Sequence, residues 1–357
     1  MIRFALRAFA VLLVLVVVAA VSGLGYRAWR QQENARVLAI TAPDGIDERA
    51  FVRIGGIEQW LTIRGEDRNN PVILMLHGGP GSATSMLAPV WRGWEKDFTL
   101  VQWDQRGSGR TYGRNGEDEQ PMTVDRLTRD GIEVAQYLIT HLHKRKIILL
   151  GHSWGSELGL LMIKAEPGLF FAYVGTGQVV AKEEKEEVLY ARLMAKLKAA
   201  NDNDGIERLS ALGPPPYRSE ADLDVQRGIQ KRFETAAEQG LESAMAPVVL
   251  FAPDTSLADI YDYLKGKDFA GEALYRETLS FDARKLGHFD VPVFVIDGDR
   301  DLTTPPDLAR TWFDGLDAPR KGFALLEGGG HSALLTMPGA FHAVLATHVR
   351  PLAMVTH

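Results

Sequence analysis

The chain has 357 residues, 46% of them hydrophobic, and a formal net charge of -6 at pH 7. That length suits one large domain or a core with an insertion, and so mild a charge, with no long basic run, argues against a nucleic-acid partner. There is no cysteine, which excludes disulfides, thiolate metal sites and a cysteine nucleophile together.

Arg3 and Arg7 precede Ala8–Val21, a stretch built almost wholly from Val, Leu and Ala, and no charge interrupts it before Arg27. From Ala8 to Tyr26 this gives about 19 uncharged residues, near the ~20 needed to span a bilayer. Residues 1–26 therefore read as a signal-anchor or a signal peptide. A cleaved peptide would show this basic start, this apolar centre and small residues such as Ala20 and Ser22 near the cut. The anchor is slightly favoured, with Arg27 and Arg30 following it, and either reading puts the rest of the chain outside the cytoplasm. A buried core helix is disfavoured, because one side of it would need polar residues. Residues 27–48 are polar and mixed and read as a linker.

From Phe51 the pattern changes. Phe51–Ile54, the pair Gly55-Gly56 and Ile57–Ile63 predict a hairpin turning on the glycines. Val72–Leu76 is short and wholly apolar, as a strand buried on both faces of a parallel sheet must be. Phe98–Trp103, Ile147–Leu150, Phe171–Val174, Val291–Ile296 and Phe323–Leu326 repeat the type. Helical stretches, among them Thr123–His141 and Trp154–Ala165, lie between them. The alternation predicts an α/β fold with a mostly parallel, doubly wound sheet. Residues 49–180 and 285–357 form its two parts. Residues 181–284 carry no convincing buried strand and read as a mainly helical cap inserted between them. Within that cap the charge run Lys182–Glu187 reads as a solvated helix start.

The strongest local signal is Gly151-His-Ser-Trp-Gly155, set between an apolar strand and an apolar helix. This is the strand–turn–helix setting of a G-x-S-x-G nucleophile elbow. The turn lifts the Ser153 hydroxyl clear of the sheet to a helix N-terminus, where developing negative charge is favoured. A serine hydroxyl needs a base to take its proton, and in this architecture acid and histidine follow the serine in that order. Asp297-Gly-Asp-Arg-Asp301 follows one predicted strand, and Glu327-Gly-Gly-Gly-His331 follows the next. Both fall at carboxyl ends of strands, where open α/β sheets place their sites. His331 is the expected base and Asp301, furthest from its strand, the expected acid, with Asp299 next. His141 and His143 sit at a Lys/Arg-rich helix end, and His288, His342, His348 and His357 lack a strand-end setting. After Val72–Leu76 comes His77-Gly-Gly-Pro-Gly81, where the Gly79 N–H, with that of Trp154, is placed to bind an oxyanion.

Taken together, His77-Gly-Gly-Pro-Gly81, Asp104-Gln-Arg-Gly-Ser-Gly-Arg-Thr111 and Gly151-His-Ser-Trp-Gly-Ser156 resemble the proline iminopeptidase (prolyl aminopeptidase) family of α/β-hydrolases. The resemblance covers about residues 50–178 and 290–335. It implies a serine exopeptidase acting through an acyl-enzyme on short peptides or aminoacyl amides. In it Ser153, Asp301 and His331 are catalytic, Gly79 and Trp154 are the oxyanion donors, and Asp104 and Arg106 brace the site. Two departures stand out. The family's Trp-Glu-containing cap pattern, which holds the substrate's free amine, is absent between Ala181 and Arg284, so no substrate-binding residue is assigned. Glu157 stands where the family has a small residue. A carboxylesterase or lactonase with the same catalytic residues is the alternative, and a non-catalytic, membrane-tethered binding domain a remote one. Epoxide and haloalkane hydrolases use Asp where this chain has Ser153. Neither H-E-x-x-H nor a phosphate-binding loop occurs, so no metal or cofactor is expected. The expected partners are a small molecule or short peptide and, through residues 1–26, a membrane.

Overall fold

Apolar runs too short for helices form the centre of the sheet. In Val72–Leu76 every residue is buried: Ile73 and Met75 face one side, Val72, Leu74 and Leu76 the other, and each side packs into its own hydrophobic core. A strand covered on both faces needs no polar alternation, which is why these runs are continuous. A computed structural model describes residues 2–117, 122–217 and 219–354.

Eight strands form one sheet in the order β1-β2-β4-β3-β5-β6-β7-β8. They are β1 (Ile46–Ile54), β2 (Ile57–Gly65), β3 (Val72–Leu76), β4 (Thr99–Asp104), β5 (Ile147–His152), β6 (Phe170–Thr176), β7 (Val293–Gly298) and β8 (Lys321–Leu326). The β1–β2 hairpin is antiparallel, and its turn residues Gly55 and Gly56 take φ of 55° and 85°. β2 meets β4 antiparallel, and every pair from β4 through β3 to β8 is parallel. The chain leaves β3 first to one side (β4) and then to the other (β5), so the crevice between diverging loops opens at the carboxyl end of β3.

The main helices are α1 (Ile2–Leu38), α2 (Gly109–Asn115), α3 (Val124–His141), α4 (Trp154–Ala165), α5 (Lys182–Ala199), α6 (Asn203–Leu212), α7 (Glu220–Gln230), α8 (Ala236–Gln239), α9 (Leu241–Leu250), α10 (Leu257–Thr278) and α11 (Pro306–Asp314). Helices α5–α10 lie between β6 and β7 and form the cap. An isolated antiparallel bridge, Ala181 to Asp282, ties its first residue to its last turn. Among the described residues no strand interrupts the cap.

Two expectations need correction. The helix that begins in the apolar segment does not give way to a linker at Arg27: α1 continues to Leu38, and β1 starts at Ile46. Nor is Lys182–Glu187 solvated throughout. Glu183 and Glu187 are exposed, but Lys185 and Glu186 are buried and paired at 2.7 Å, and Glu186 also accepts from Gln226 at 2.9 Å. A charge run on a helix shows composition but not which face the cap turns inward. The apolar part of α1 meets no such surprise: its most apolar 18-residue window has mean hydropathy 2.8, and none of it is buried.

Candidate active site

The site is assembled from loops at the carboxyl edge of the sheet. Ser153 caps the N-terminus of α4 with φ 53° and ψ -119°, a conformation that L-residues avoid. Its amide donates to Thr176 O at 2.9 Å, and its carbonyl accepts from Ser156 Oγ at 2.6 Å, so β6 and α4 hold the strained residue in place. The glycines beside it are required sterically: a Cβ at Gly151 would stand 2.2 Å from Gly155 O, and one at Gly155 only 2.1 Å from Leu76 O. Both obstacles are backbone. Gly155→Ala is therefore expected to lower stability by about 1–3 kcal/mol, read as a reduced denaturant midpoint at unchanged m-value.

His331 and Asp301 arrive from the neighbouring loops after β8 and β7. These loops touch so closely that a Cβ at Gly298 would meet the carbonyls of Gly329 and Gly330 at 2.4 Å. Arg300 N donates to Gly329 O at 2.9 Å. The result is a 2.8 Å hydrogen bond from His331 Nδ1 to Asp301 Oδ2. Asp301 also accepts from the amides of Thr303 and Thr304, both at 2.8 Å, and from Thr304 Oγ1 at 2.7 Å. Burial disfavours its charged form, but His331 and these donors outweigh that and hold the carboxyl below its ordinary range. Burial also works against a charged His331, yet the Asp301 carboxylate raises its pKa above the ordinary 6.5.

The three aspartates of this loop take separate environments. Asp297, fully buried, is pushed up to about 8 by desolvation and then by Asp301, and so stays protonated at neutral pH. Asp299 Oδ1 accepts from Gly328 N at 2.7 Å and shapes the turn. Only Asp301 reaches the imidazole.

Ser153 and His331 line the same cavity, of about 940 Å³, together with Gly78, Gly79 and residues of the cap. In this structure no hydrogen bond joins the Ser153 hydroxyl to the imidazole. Such contacts commonly tighten only when substrate is bound. Gly79 takes φ 110°, and neither its amide nor that of Trp154 donates to another group among the described residues. A second cavity of about 630 Å³, lined by Val180, Arg284 and Trp312 among others, includes neither Ser153 nor His331.

Three residues inside the motifs, with no role of their own legible in the sequence, hold these parts together. Gln105 Nε2 donates to His77 O at 3.2 Å, while its Oε1 accepts from Trp154 Nε1 at 3.0 Å, joining the loop that carries Gly79 to the helix that carries Ser153. His77 donates from Nδ1 to Gly78 O at 3.0 Å and accepts at Nε2 from Gln105 N at 3.2 Å; burial lowers its pKa to about 4 and keeps it neutral. His152, inside the G-x-S-x-G motif, donates from Nε2 to His331 O at 3.0 Å and is likewise held near 4 by burial.

The signature loop after β4 is built on burial. Asp104 accepts from Ser85 Oγ and Arg110 N, and burial pushes its pKa up to about 6. Arg106 pairs with Asp130 at 2.7 Å, with both side chains essentially inaccessible. Removing Asp130 takes its carboxylate from the buried Arg106 guanidinium and from Arg126, which pairs with it at 2.8 Å. Asp130→Ala is therefore expected to destabilise by about 3–5 kcal/mol, measured by denaturant unfolding.

Glu157 is also buried. Desolvation pushes its pKa up to about 7, and its Oε2 has no partner, although the charges of Lys182 and Lys185 lie near. The other described histidines do not line this cavity: His141 meets Glu48, His342 meets Asp97, and His143, His288 and His348 are exposed. His357 lies outside the described residues.

The profile of the alpha/beta hydrolase family matches residues 73–344, a span that includes Ser153, Asp301 and His331. The chain belongs to the alpha/beta hydrolase family. A probable aminopeptidase of Bacillus subtilis, YbaC, is 31% identical over 307 residues, covering 83% of this chain and 94% of that one. A proline iminopeptidase of Lactobacillus helveticus is 25% identical over 308 residues, 81% of this chain and 93% of the relative. Among solved structures, a bacterial membrane phospholipase A described as a virulence factor superposes with TM-score 0.63 at 15% identity, covering 99% of this hydrolase and all of that chain. At that identity the likeness is one of fold. The resemblance to proline iminopeptidases thus extends from the motifs to most of the chain.

Proposed function

We propose that this hydrolase is a serine aminopeptidase-like enzyme acting through an acyl-enzyme on short peptides or aminoacyl amides. The observation that carries the reading is the 2.8 Å Asp301–His331 bond beside a strained Ser153 on one cavity. Ser153 Oγ attacks the substrate carbonyl while His331 Nε2 takes its proton. Asp301 fixes the ring through Nδ1 and stabilises the imidazolium. The amides of Gly79 and Trp154 receive the oxyanion, each worth about 3–4 kcal/mol in comparable enzymes. The imidazolium then protonates the departing amine, and water, deprotonated by the same ring, releases the acyl group from Ser153.

The cap supplies a place for a substrate amine that the sequence did not reveal. Glu234, in extended backbone just before α8, and Glu238, within α8, both line the cavity, and each interacts electrostatically with His331. Desolvation raises the pKa of Glu234, and the neighbouring Glu238 adds to the rise. An ammonium group between them relieves that repulsion. Glu234→Gln is expected to raise KM about 10- to 100-fold for aminoacyl arylamides, the scale of a charge-assisted hydrogen bond, and to leave N-acetylated analogues unaffected. Equal loss on both substrate types removes the amine role.

An esterase or lactonase is the second reading, favoured by the aliphatic side chains of Leu87, Leu241 and Leu335 in the lining of the same cavity. A screen of aminoacyl arylamides against short-chain esters separates the two, because only the aminopeptidase depends on a free amine. The α1 helix anchors the enzyme, with the catalytic domain outside the cytoplasm. The expected result is retention in the membrane pellet after alkaline carbonate wash, and digestion of the domain by protease added to intact spheroplasts.

A further inference from the structure

The anchor helix and the cap are not joined by a flexible tether. Arg27, Gln31 and Asn34 recur on one face of α1, and all three donate to backbone carbonyls of the cap between Leu250, the last residue of α9, and Thr255, just before α10. Arg27 Nε reaches Leu250 O at 3.0 Å, Gln31 Nε2 reaches Ala252 O and Thr255 O at 2.8 Å, and Asn34 Nδ2 reaches Phe251 O at 2.9 Å. Tyr26 meets the Phe251 ring edge-on at 5.7 Å, and the Arg30 guanidinium covers it at 5.4 Å. The carbonyls left unpaired at the end of α9 are thus satisfied by α1.

These contacts fall at one particular level of α1. Its uncharged part ends at Tyr26, and the exposed aromatics Tyr26 and Trp29 alternate there with Arg27 and Arg30. That is the composition of a membrane–water boundary. The cap segment 250–255 therefore lies at headgroup height. Beside it the cap shows apolar surface to the outside. Leu250 ends α9, whose sequence LESAMAPVVL carries one charge, and Leu257, Tyr261 and Leu264 form a stripe on α10 with more than half of each side chain exposed. The spacing i, i+4, i+7 puts that stripe on one helical face, and the Lys265 ammonium lies 5.9 Å from the Tyr261 ring.

We propose that this face docks on the bilayer: the end of α9 and the Leu257–Tyr261–Leu264 stripe rest in the interfacial zone beside α1. The occupant is lipid because the face adjoins the anchor at the height where the anchor leaves the membrane. The consequence concerns the site. Leu241 and Glu242, at the other end of α9, line the catalytic cavity, and ten residues of helix span about 15 Å. Docking therefore holds the cavity rim close to the membrane surface. The inference rests on reading α1 as an anchor.

A chain without cysteine suits single-cysteine labelling. The full-length protein is reconstituted into phosphatidylcholine–phosphatidylglycerol vesicles, with a fluorophore at Val14→Cys, Leu250→Cys, Tyr261→Cys, Leu264→Cys or, at the amino end of β8, Arg320→Cys. Doxyl-labelled lipids are then added as quenchers. Emission is expected to fall about twofold or more at 14, 250, 261 and 264, since interfacial side chains sit ~5–10 Å into the boundary, and to change little at 320. Quenching at 14 with 250, 261 and 264 behaving like 320 overturns the docking while leaving the anchor standing. No quenching at 14 overturns both. Cap labels shielded from aqueous iodide yet untouched by doxyl lipid show a second protein copy on this face, and also overturn it.

Discussion

Replacing Ser153 by alanine is expected to lower turnover by at least ~10³-fold, and up to the ~10⁶-fold loss that removal of a protease nucleophile brings elsewhere, with the fold intact. The reason is chemical: without the hydroxyl no acyl-enzyme forms, and only oxyanion donors and substrate binding remain. The reason that stability should hold is structural. Ser153 is held by its own backbone, through Thr176 O and Ser156 Oγ, and its hydroxyl bonds to no other group among the described residues. Alanine at φ 53° keeps the same strain. Turnover of the preferred substrate together with a thermal melt tests both halves. Activity within tenfold of the parent protein would remove Ser153 as nucleophile.

Asp301→Asn is expected to reduce turnover by about 10⁴-fold, with a change in pH profile that a merely structural role does not produce. Asparagine can fit the site and still offers one oxygen. It no longer selects the ring tautomer with a proton on Nδ1, nor does it balance a charged imidazole. In the parent protein burial works against the charged ring, and the Asp301 carboxylate outweighs it, so the His331 pKa lies above 6.5. A general base must be neutral, so kcat/KM falls as pH drops through that raised value. Without the carboxylate, desolvation remains and pulls the pKa down. The acid limb of the variant should thus move to lower pH. A limb that stays in place, or moves up, contradicts the coupling of Asp301 to His331.

Much of this protein could be read from the chain alone, for identifiable reasons. A strand buried on both faces must be continuously apolar, so Val72–Leu76, Ile147–Leu150 and Val291–Ile296 announced the parallel sheet. The G-x-S-x-G turn is confined by backbone sterics, with 2.1–2.2 Å clashes awaiting any Cβ at Gly155 or Gly151, so it carries its geometry within five residues. Chain order then placed Asp301 and His331 on successive strand ends. Among the three neighbouring aspartates, loop position alone favours Asp301. What separates them physically is environment: Asp297 is desolvated, Asp299 is spent on the Gly328 amide, and only Asp301 has three threonine-derived donors and the ring.

The tertiary structure alone decided which charged residues turn inward. Lys185 and Glu186 read as solvent-facing, yet they meet in the interior of the cap, because a helix in a small insertion packs by its contacts rather than by its own periodicity. Glu234 and Glu238 carried no motif; the amine-binding role proposed for them comes only from the meeting of the segment around α8 with the His331 loop at one cavity. The continuation of α1 past Arg27 belongs to the same class. Its polar second half has no apolar pattern to announce a helix, and it is held by carbonyls more than 200 residues away, at Leu250, Phe251, Ala252 and Thr255. Local sequence sets what a backbone segment can adopt. Which buried donors and charges find partners depends on surfaces that exist only once the chain has folded.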